Sequence, residues 1–313
     1  MMIIAAVLLG SASVQEATPP APPTGEPVRV RRGPPPPDSV SGDKAALPMT
    51  RTSGLPTIAV TINGKGPFKI GFDTGAPGGP HLTDRLTDAL GLSPFGEARA
   101  SDPSGKNPVP VKLYRLDSAA FGPVSVNGWV ASARPVRKGK LESLDGIVGL
   151  DAFAGYIVTL DYAQNRLSID KGSLPEPDGQ RVFRYEGPIP SVPVSIEGQT
   201  VQAHVDTGNV RHPLIVPEAL ALSLAQKDKT RSIGQAHTVS NTIDMHAVPL
   251  TGEAKFGSVT LAAKEAGYPS IIEKANVGSL ALEGKVLKVD PANKRIMIED
   301  SGPALRPPAQ PTT

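Results

Sequence analysis

The tripeptide Asp-Thr-Gly occurs twice in this chain, at Asp73–Gly75 and, 133 residues later, at Asp206–Gly208. A single copy of so short a motif carries little weight, because common residues form it by chance. Here the flanking sequences repeat as well. The chain is therefore expected to fold into two similar units that give both tripeptides the same local environment.

The upstream flanks predict paired strands. Leu55–Gly64 and Ile189–Gly198 both alternate apolar and small polar residues and end at a glycine, a pattern typical of a half-buried strand that enters a hairpin. Phe68–Phe72 and Val201–Val205 follow as return strands that lead directly into the tripeptides. Each tripeptide should therefore lie at the end of a β-hairpin.

The downstream flanks repeat too. Ile147-Val-Gly149 corresponds to Asn276-Val-Gly278, and the two copies align without a gap from these glycines onward. Each copy also has a predicted short helix and a final strand–turn–strand segment, at His81–Leu90 and 156–170 in the first and at Ile215–Leu224 and 285–299 in the second. We interpret the pattern as an internal duplication of units of about 120 residues.

The length of 313 residues permits about two domains, which we place at 51–174 and 175–300. Residues 1–13 join an apolar run to small residues, as in a secretory signal peptide, although no Lys or Arg precedes the run. We therefore expect export, to the periplasm or out of the cell. The run is too short for a membrane span of about 20 residues. Residues 14–50 and 301–313 are proline-rich and predict a disordered linker and tail.

Composition narrows the possible functions. The formal net charge of +2 favours no nucleic-acid partner, and the absence of cysteine removes thiol and disulfide chemistry. No Gly-x-Ser-x-Gly nucleophile motif and no His-Glu-x-x-His metal motif occurs, so neither a cofactor nor a metal is predicted. A glycosidase would also use paired carboxylates, but one Trp and five Tyr offer little surface for stacking sugars.

An apolar strand ending in Asp-Thr-Gly, later joined by an apolar-apolar-Gly element, resembles the signature of aspartic proteases, here over about Leu55 to Glu299. Asp145–Asp151 resembles the pepsin type, whereas the short lobes and Asp73–Ala76 resemble retropepsins. The resemblance implies an all-β fold with two similar retropepsin-like lobes, a short helix in each and a cleft between them. It also implies a monomer that hydrolyses peptide or protein substrates without a cofactor.

The resemblance assigns catalysis to Asp73 and Asp206. Two adjacent carboxylates cannot both ionise easily, so they share one proton. The ionised member acts as general base on a water, and the protonated member donates to the scissile carbonyl oxygen. The residues expected to support this dyad are Thr74, Gly75, Ala76, Thr207, Gly208, Asn209, Gly149 and Gly278.

These supporting residues have distinct expected roles. The tripeptide glycines allow a sharp turn that brings backbone N–H groups to the carboxylates. By resemblance, Thr74 and Thr207 should form hydrogen bonds with the backbone of the opposite lobe. Gly149 and Gly278 should let their strands pass close behind the catalytic loops.

Several departures keep a second function open, a weak or inactive peptide-binding module that uses the same cleft. Ala76 and Asn209 occupy positions where pepsin-like enzymes usually have Ser or Thr, and Asn276 replaces an aliphatic residue. The candidate flap, Ala98–Asn107, has no tyrosine; the corresponding segment of the second lobe is Gly234–Thr242. Strand alternation also puts His204 on the face of Asp206, where it either changes the dyad's proton affinity or points into solvent.

Overall fold

A computed structural model describes residues 15–16, 35–100, 108–134, 140–237, 242–269 and 272–301. The strands, in chain order, are β1 (Gln15–Glu16), β2 (Ser39–Ser41), β3 (Lys44–Pro48), β4 (Thr50–Thr52), β5 (Leu55–Ile62), β6 (Lys65–Phe72), β7 (His81–Thr83), β8 (Gly96–Ala100), β9 (Val109–Phe121), β10 (Val124–Arg134), β11 (Gly146–Val148), β12 (Tyr156–Asp161), β13 (Arg166–Lys171), β14 (Val182–Arg184), β15 (Ser191–Ile196), β16 (Gln199–Asp206), β17 (Leu214–Ile215), β18 (Arg231–His237), β19 (Thr242–Pro249), β20 (Ala254–Phe256), β21 (Val259–Thr260), β22 (Glu265–Tyr268), β23 (Ala275–Gly278), β24 (Lys285–Asp290) and β25 (Arg295–Asp300). The helices are α1 (Asp84–Leu90) and α2 (Glu218–Ala221), with 3-10 helices at Lys140–Ser143, Lys227–Lys229 and Ser279–Leu282.

The two lobes have the same sheet order. In the first lobe, seven neighbouring strands run in the order β8-β9-β10-β7-β11-β6-β5. In the second lobe the corresponding strands run β18-β19-β22-β17-β23-β16-β15. This arrangement confirms the predicted all-β fold of two similar lobes, and the hairpins predicted upstream of the tripeptides are β5–β6 and β15–β16.

A short central strand positions each Asp-Thr-Gly loop. β11 pairs in parallel with β6 and antiparallel with β7, and β23 pairs in the same way with β16 and β17. The strand that ends in Asp-Thr-Gly thus lies beside the apolar-apolar-Gly strand of its own lobe. Two segments that are distant in sequence become neighbours at the carboxyl end of parallel strands.

A third sheet joins the lobes, in the order β14-β25-β24-β12-β13-β3. β12 of the first lobe pairs antiparallel with β24 of the second, with Val158 opposite Val289 and Leu160 opposite Leu287. The gap-free alignment of the two copies has an offset of 129, since 278 − 149 = 129. With this offset, Val158 corresponds to Leu287 and Leu160 to Val289, so the residues of each pair correspond to those of the other pair. Thr159 corresponds to Lys288, which is also its partner across the two strands. A local twofold axis therefore passes between these two residues.

The predicted linker ends earlier than expected. Within 14–50, β3 pairs with β13, and β2 pairs with β10. Ala45 and Met49 are buried in the core, with Leu47 packed against it, because these alternate residues lie on the same face of the joining sheet. The structure thus corrects the disordered assignment over Ser39–Thr50. Residues 1–13 and 302–313 lie outside the described residues, so the signal and most of the tail stay predictions.

The predicted helices both form, each after a short strand that takes up the start of the predicted segment. In the first lobe, α1 begins after Thr83, whose hydroxyl accepts a hydrogen bond from the N–H of Leu86 at 3.1 Å. It ends at Gly91, which adopts the left-handed conformation with φ of 71°. Leu86 and Leu90 then bury one face of α1 in the core. In the part of the chain that the structure describes, no helix is long and apolar enough to cross a membrane.

Candidate active site

The structure brings the two aspartates to the interface between the lobes. Asp73 follows β6, Asp206 is the last residue of β16, and their exposed fractions are 0% and 3%. The N–H of Gly75 donates to Asp73 Oδ1 at 2.7 Å, and the N–H of Gly208 donates to Asp206 Oδ1 at 2.9 Å. Each loop therefore holds its own carboxyl group with a backbone donor two residues on.

The tripeptide glycines also face the opposite aspartate. A Cβ atom on Gly75 would lie 2.5 Å from Asp206 Oδ1, and one on Gly208 would lie 2.2 Å from Asp73 Oδ2. Both distances are far below van der Waals contact. Only glycine lets the two loops approach this closely, which places the carboxyl groups of Asp73 and Asp206 side by side.

The threonines lock the two loops together. Thr74 Oγ1 donates to Val205 O at 2.6 Å, and Thr207 Oγ1 donates to Phe72 O at 2.9 Å. Each hydroxyl also accepts from the opposite threonine, with Thr74 N to Thr207 Oγ1 at 3.0 Å and Thr207 N to Thr74 Oγ1 at 3.1 Å. Four buried hydrogen bonds therefore cross the interface in a symmetric pattern, as the resemblance implied.

The apolar-apolar-Gly strands close the back of each loop. A Cβ on Gly149 would lie 2.0 Å from Ala76 O, and one on Gly278 would lie 2.5 Å from Asn209 O. The main chains of β11 and β23 thus pass against the turns that carry the aspartates. Side chains at these two positions would push the catalytic loops out of place.

Comparison with known proteins agrees with this geometry. Residues 58–152, which span most of the first lobe, match the family model of aspartyl proteases. The aspartic proteinase from Irpex lacteus has a similar fold, with a TM-score of 0.55 over 82% of this chain and 97% of that chain, at 11% sequence identity. The first lobe therefore matches the aspartyl protease family, and the chain as a whole has the fold of an aspartic proteinase. No curated protein matches its sequence.

The two aspartates differ in their side-chain partners. Asn276 Nδ2 donates to Asp206 Oδ2 at 2.7 Å, whereas Asp73 Oδ2 is buried and has no hydrogen-bond partner among the described residues. Burial and the neighbouring Asp206 carboxylate raise the pKa of Asp73 well above its ordinary value. Burial also raises the pKa of Asp206, but the hydrogen bond from Asn276 acts against this increase.

Two residues that the sequence analysis missed support the second loop. Tyr162 OH and Ser279 Oγ share a hydrogen bond of 3.1 Å, and Ser279 Oγ donates to Thr207 O at 2.7 Å. Tyr162 follows β12 and its ring lies under the guanidinium of Arg51, 4.8 Å from the ring centre. The only hint in the sequence was a large aromatic residue directly after a predicted strand. The role depends on a contact between the joining sheet and the second lobe.

In the part of the chain that the structure describes, the histidines form no metal site. In the described ranges, no three side chains of the His, Cys, Asp or Glu types lie together in a way that could hold a metal ion. His204 lies opposite Asn276 in the parallel pair of β16 and β23, and burial followed by the charge of Lys274 lowers its pKa. His212 is buried behind Gly278, and its pKa is lowered mainly by burial. Both environments therefore favour the neutral imidazole.

A hairpin extends from each lobe at the predicted flap position. In the first lobe it consists of β8 and β9, with Ala100 opposite Val109, and in the second of β18 and β19, with His237 opposite Thr242. The predicted flap tips at 101–107 and 238–241 lie outside the described residues. The strands on either side thus have the hairpin form expected of a substrate cover.

Proposed function

We propose that this chain is an aspartic endopeptidase that hydrolyses peptide bonds with a water activated by Asp73 and Asp206. The observation that carries the proposal is the cross-lobe threonine network, which holds two buried carboxyl groups side by side. The network requires two buried threonine hydroxyls and two tight glycine turns. A contact that only joined the two lobes would not need these features. One chain supplies both aspartates, which favours a monomeric enzyme.

The chemistry follows from one shared proton. The ionised carboxylate takes a proton from water as the oxygen attacks the scissile carbonyl carbon, and the protonated carboxyl donates its proton to the carbonyl oxygen. The product of this step is a neutral tetrahedral diol. The carboxyl that took the proton from water then donates it to the amide nitrogen, while the other carboxylate takes a proton from a diol hydroxyl. The C–N bond breaks, an acid and an amine form, and the dyad again holds one proton. No covalent link to the protein forms.

The electrostatic setting supports this cycle. Burial and the adjacent Asp206 raise the pKa of Asp73, so the pair retains one proton at a pH where isolated aspartates would have lost both. Burial of both carboxyls also strengthens their interaction with charge that develops on the substrate. The expected activity is highest in acid and declines as the shared proton is lost.

The experiment is cleavage of an unfolded protein and a peptide library between pH 3 and 7. Asp73→Asn and Asp206→Asn should each lower kcat/KM by at least about 10³-fold, since each removes one half of the acid–base pair. Asp88→Asn, an exposed aspartate on α1, is the matched control and should keep full activity. Activity that survives either dyad substitution would contradict the mechanism.

A second candidate is a peptide-binding module that uses the same cleft with little or no turnover. It is favoured by Ala76, which lacks the usual hydroxyl, and by the absence of a partner for Asp73 Oδ2 among the described residues. Isothermal calorimetry on the library would separate the two. Tight binding of intact peptides without cleavage at any pH would support the module and reject the endopeptidase.

The cellular location stays a proposal as well. We infer export from the apolar N-terminal segment, which lies outside the described residues. Mass spectrometry of the mature protein from the cell exterior and the periplasm tests it. A mature N-terminus near residue 14 is the expected result, and full-length protein confined to the cytoplasm would contradict it.

A further inference from the structure

A chain of amide hydrogen bonds ends on one of the two aspartates. Asn209 Nδ2 donates to Asn276 Oδ1 at 2.8 Å, and Asn276 Nδ2 donates to Asp206 Oδ2 at 2.7 Å. Both asparagines are buried, with exposed fractions of 0% and 3%. Buried amides of this kind are stable only when their polar atoms are paired. In the sequence, Asn276 is notable only because it replaces an aliphatic residue.

The backbone determines which way both amides point. Asn209 Oδ1 accepts from the N–H groups of Arg211 and His212, at 3.4 and 3.3 Å. A backbone N–H can only donate, so the oxygen of Asn209 must face these groups and its nitrogen must face Asn276. The oxygen of Asn276 then faces Asn209, and its NH₂ group faces Asp206. The chain therefore delivers a donor, and not an acceptor, to the carboxyl group.

The first lobe has no such chain. The positions that correspond to Asn209 and Asn276 are Ala76 and Ile147, which carry no polar side-chain atom. Asp73 Oδ2 has no hydrogen-bond partner in the described ranges. Asp206 Oδ1 also accepts from the backbone N–H of Asn209 at 3.2 Å, so a backbone donor and a side-chain donor of the second lobe together distinguish Asp206 from Asp73.

We propose that Asn276 is a positioning residue that keeps the shared proton on Asp73 and leaves Asp206 as the general base. A donor stabilises the ionised form of the carboxyl that it contacts, and only Asp206 has a side-chain donor. Asn209 acts through Asn276 by holding its amide in place. The inference deepens the proposed function and rests on it for its catalytic meaning.

The other titratable groups around Asp206 do not account for the same asymmetry. Asp73 faces it from the first-lobe loop, and Tyr162 approaches from the end of β12 with a raised pKa, so its phenol is neutral. From the second lobe come His204 and His212, whose pKa values are lowered. The charges near these histidines are Lys274 for His204, and Arg211, Arg231 and Glu265 for His212.

The test is the pH profile of kcat/KM for Asn276→Ile, which gives the second lobe the residue of the first. Loss of a hydrogen bond to a charged group should move the acid limb, which reports the general base, up by about one to two pH units. kcat should fall while KM stays unchanged, because the amide does not contact substrate. Ile147→Val is the matched control at the corresponding position and should leave the acid limb where it is.

A second measurement reads proton affinity without turnover. Titration of ¹³C-labelled aspartate carboxyls by NMR should show the lower of the two dyad ionisations move upward in Asn276→Ile. Asn276→Ser, whose short side chain neither overpacks the site nor spans the distance to Asp206, should give the same shift if the isoleucine variant does not fold. An unmoved titration in the folded variant would overturn the inference. Absence of cleavage by the wild type would instead reject the proposed function, and the titration would still decide the role of Asn276.

Discussion

The two Asp-Thr-Gly loops share their glycine and threonine hydrogen bonds but have different surroundings. In both, a glycine N–H holds the carboxyl group and a threonine binds across the interface, with distances that agree within 0.3 Å between the loops. Behind Asp206, however, two buried asparagines form a donor chain, whereas behind Asp73 the corresponding positions are Ala76 and Ile147. The symmetry is therefore limited to the glycine and threonine hydrogen bonds.

The shared residues and the differing residues serve different purposes. The shared residues allow the two lobes to assemble, and the differing residues serve the proposed chemistry. Two lobes can approach closely only if both loops make the same turn, so glycine and threonine recur. A pair that shares one proton functions best when its two members have unequal proton affinities. Side chains outside the tripeptides can create this inequality without disturbing the turn.

The largest expected effect comes from the glycines that both loops share. Gly208→Ala would place a Cβ 2.2 Å from Asp73 Oδ2, and Gly75→Ala one 2.5 Å from Asp206 Oδ1, so each must displace the opposite carboxyl. We expect each to lower kcat/KM by at least about 100-fold, since small displacements of reacting groups cost this much. Gly96→Ala, whose Cβ would meet its nearest atom at 4.0 Å, should keep the melting temperature of the wild type. Wild-type activity in Gly208→Ala or in Gly75→Ala would mean that the two loops can move apart more easily than the geometry indicates.

The threonine network should be equally sensitive from either side. Thr74→Val and Thr207→Val each leave a buried N–H and a buried carbonyl without a partner, and each should cost about 1–3 kcal/mol in free energy of unfolding. The double variant should cost less than the sum, because the two hydroxyls belong to one network. Urea denaturation measures all three. A large difference between the two single variants would show that Thr74 and Thr207 do not contribute equally to the threonine network.

Stability against pH should distinguish the two aspartates. The folded pKa of Asp73 is raised, so its stabilising contribution is complete below the unfolded value of about 3.9 and is lost as pH rises through the folded value. Relative to Asp73→Asn, the wild type should lose up to about 1.4 kcal/mol per pH unit in this window. Asp206→Asn retains Asp73, whose carboxyl has no side-chain donor among the described residues. The stability of Asp206→Asn should therefore fall more steeply with pH than that of Asp73→Asn. Parallel curves for the two variants would contradict the proposed asymmetry.

The smallest expected effect comes from copying the second lobe into the first. Ile147→Asn introduces an amide at the position that corresponds to Asn276, within reach of Asp73 by the local symmetry of the loops. It should stabilise ionised Asp73 and move the basic limb of the kcat/KM profile down by less than about one pH unit, because Ala76 cannot hold the new amide. The Ala76→Asn/Ile147→Asn double variant should move it further. A profile unchanged in both variants would show that amide donors at this position do not set dyad proton affinity.

Much of the fold could be predicted from the sequence. The strands β5, β6, β15 and β16 alternate apolar and polar residues, and alternation with a glycine turn is a local property that survives in the folded state. The two strand–turn–strand segments that end the copies were also predicted, as β12–β13 and β24–β25. β3 was missed because proline-rich sequence surrounds it, and only pairing with β13 buries Ala45.

The sequence by itself determined that two similar lobes would each contribute an aspartate, because the repeat of the tripeptide and of its flanks can be read directly from the order of the residues. The tertiary structure alone decided how those aspartates differ. Asn276 lies 70 residues beyond Asp206 in sequence and reaches it only because β23 packs in parallel beside β16. Hydrogen bonds and burial act through space, so proton affinity depends on neighbours that residue order does not specify.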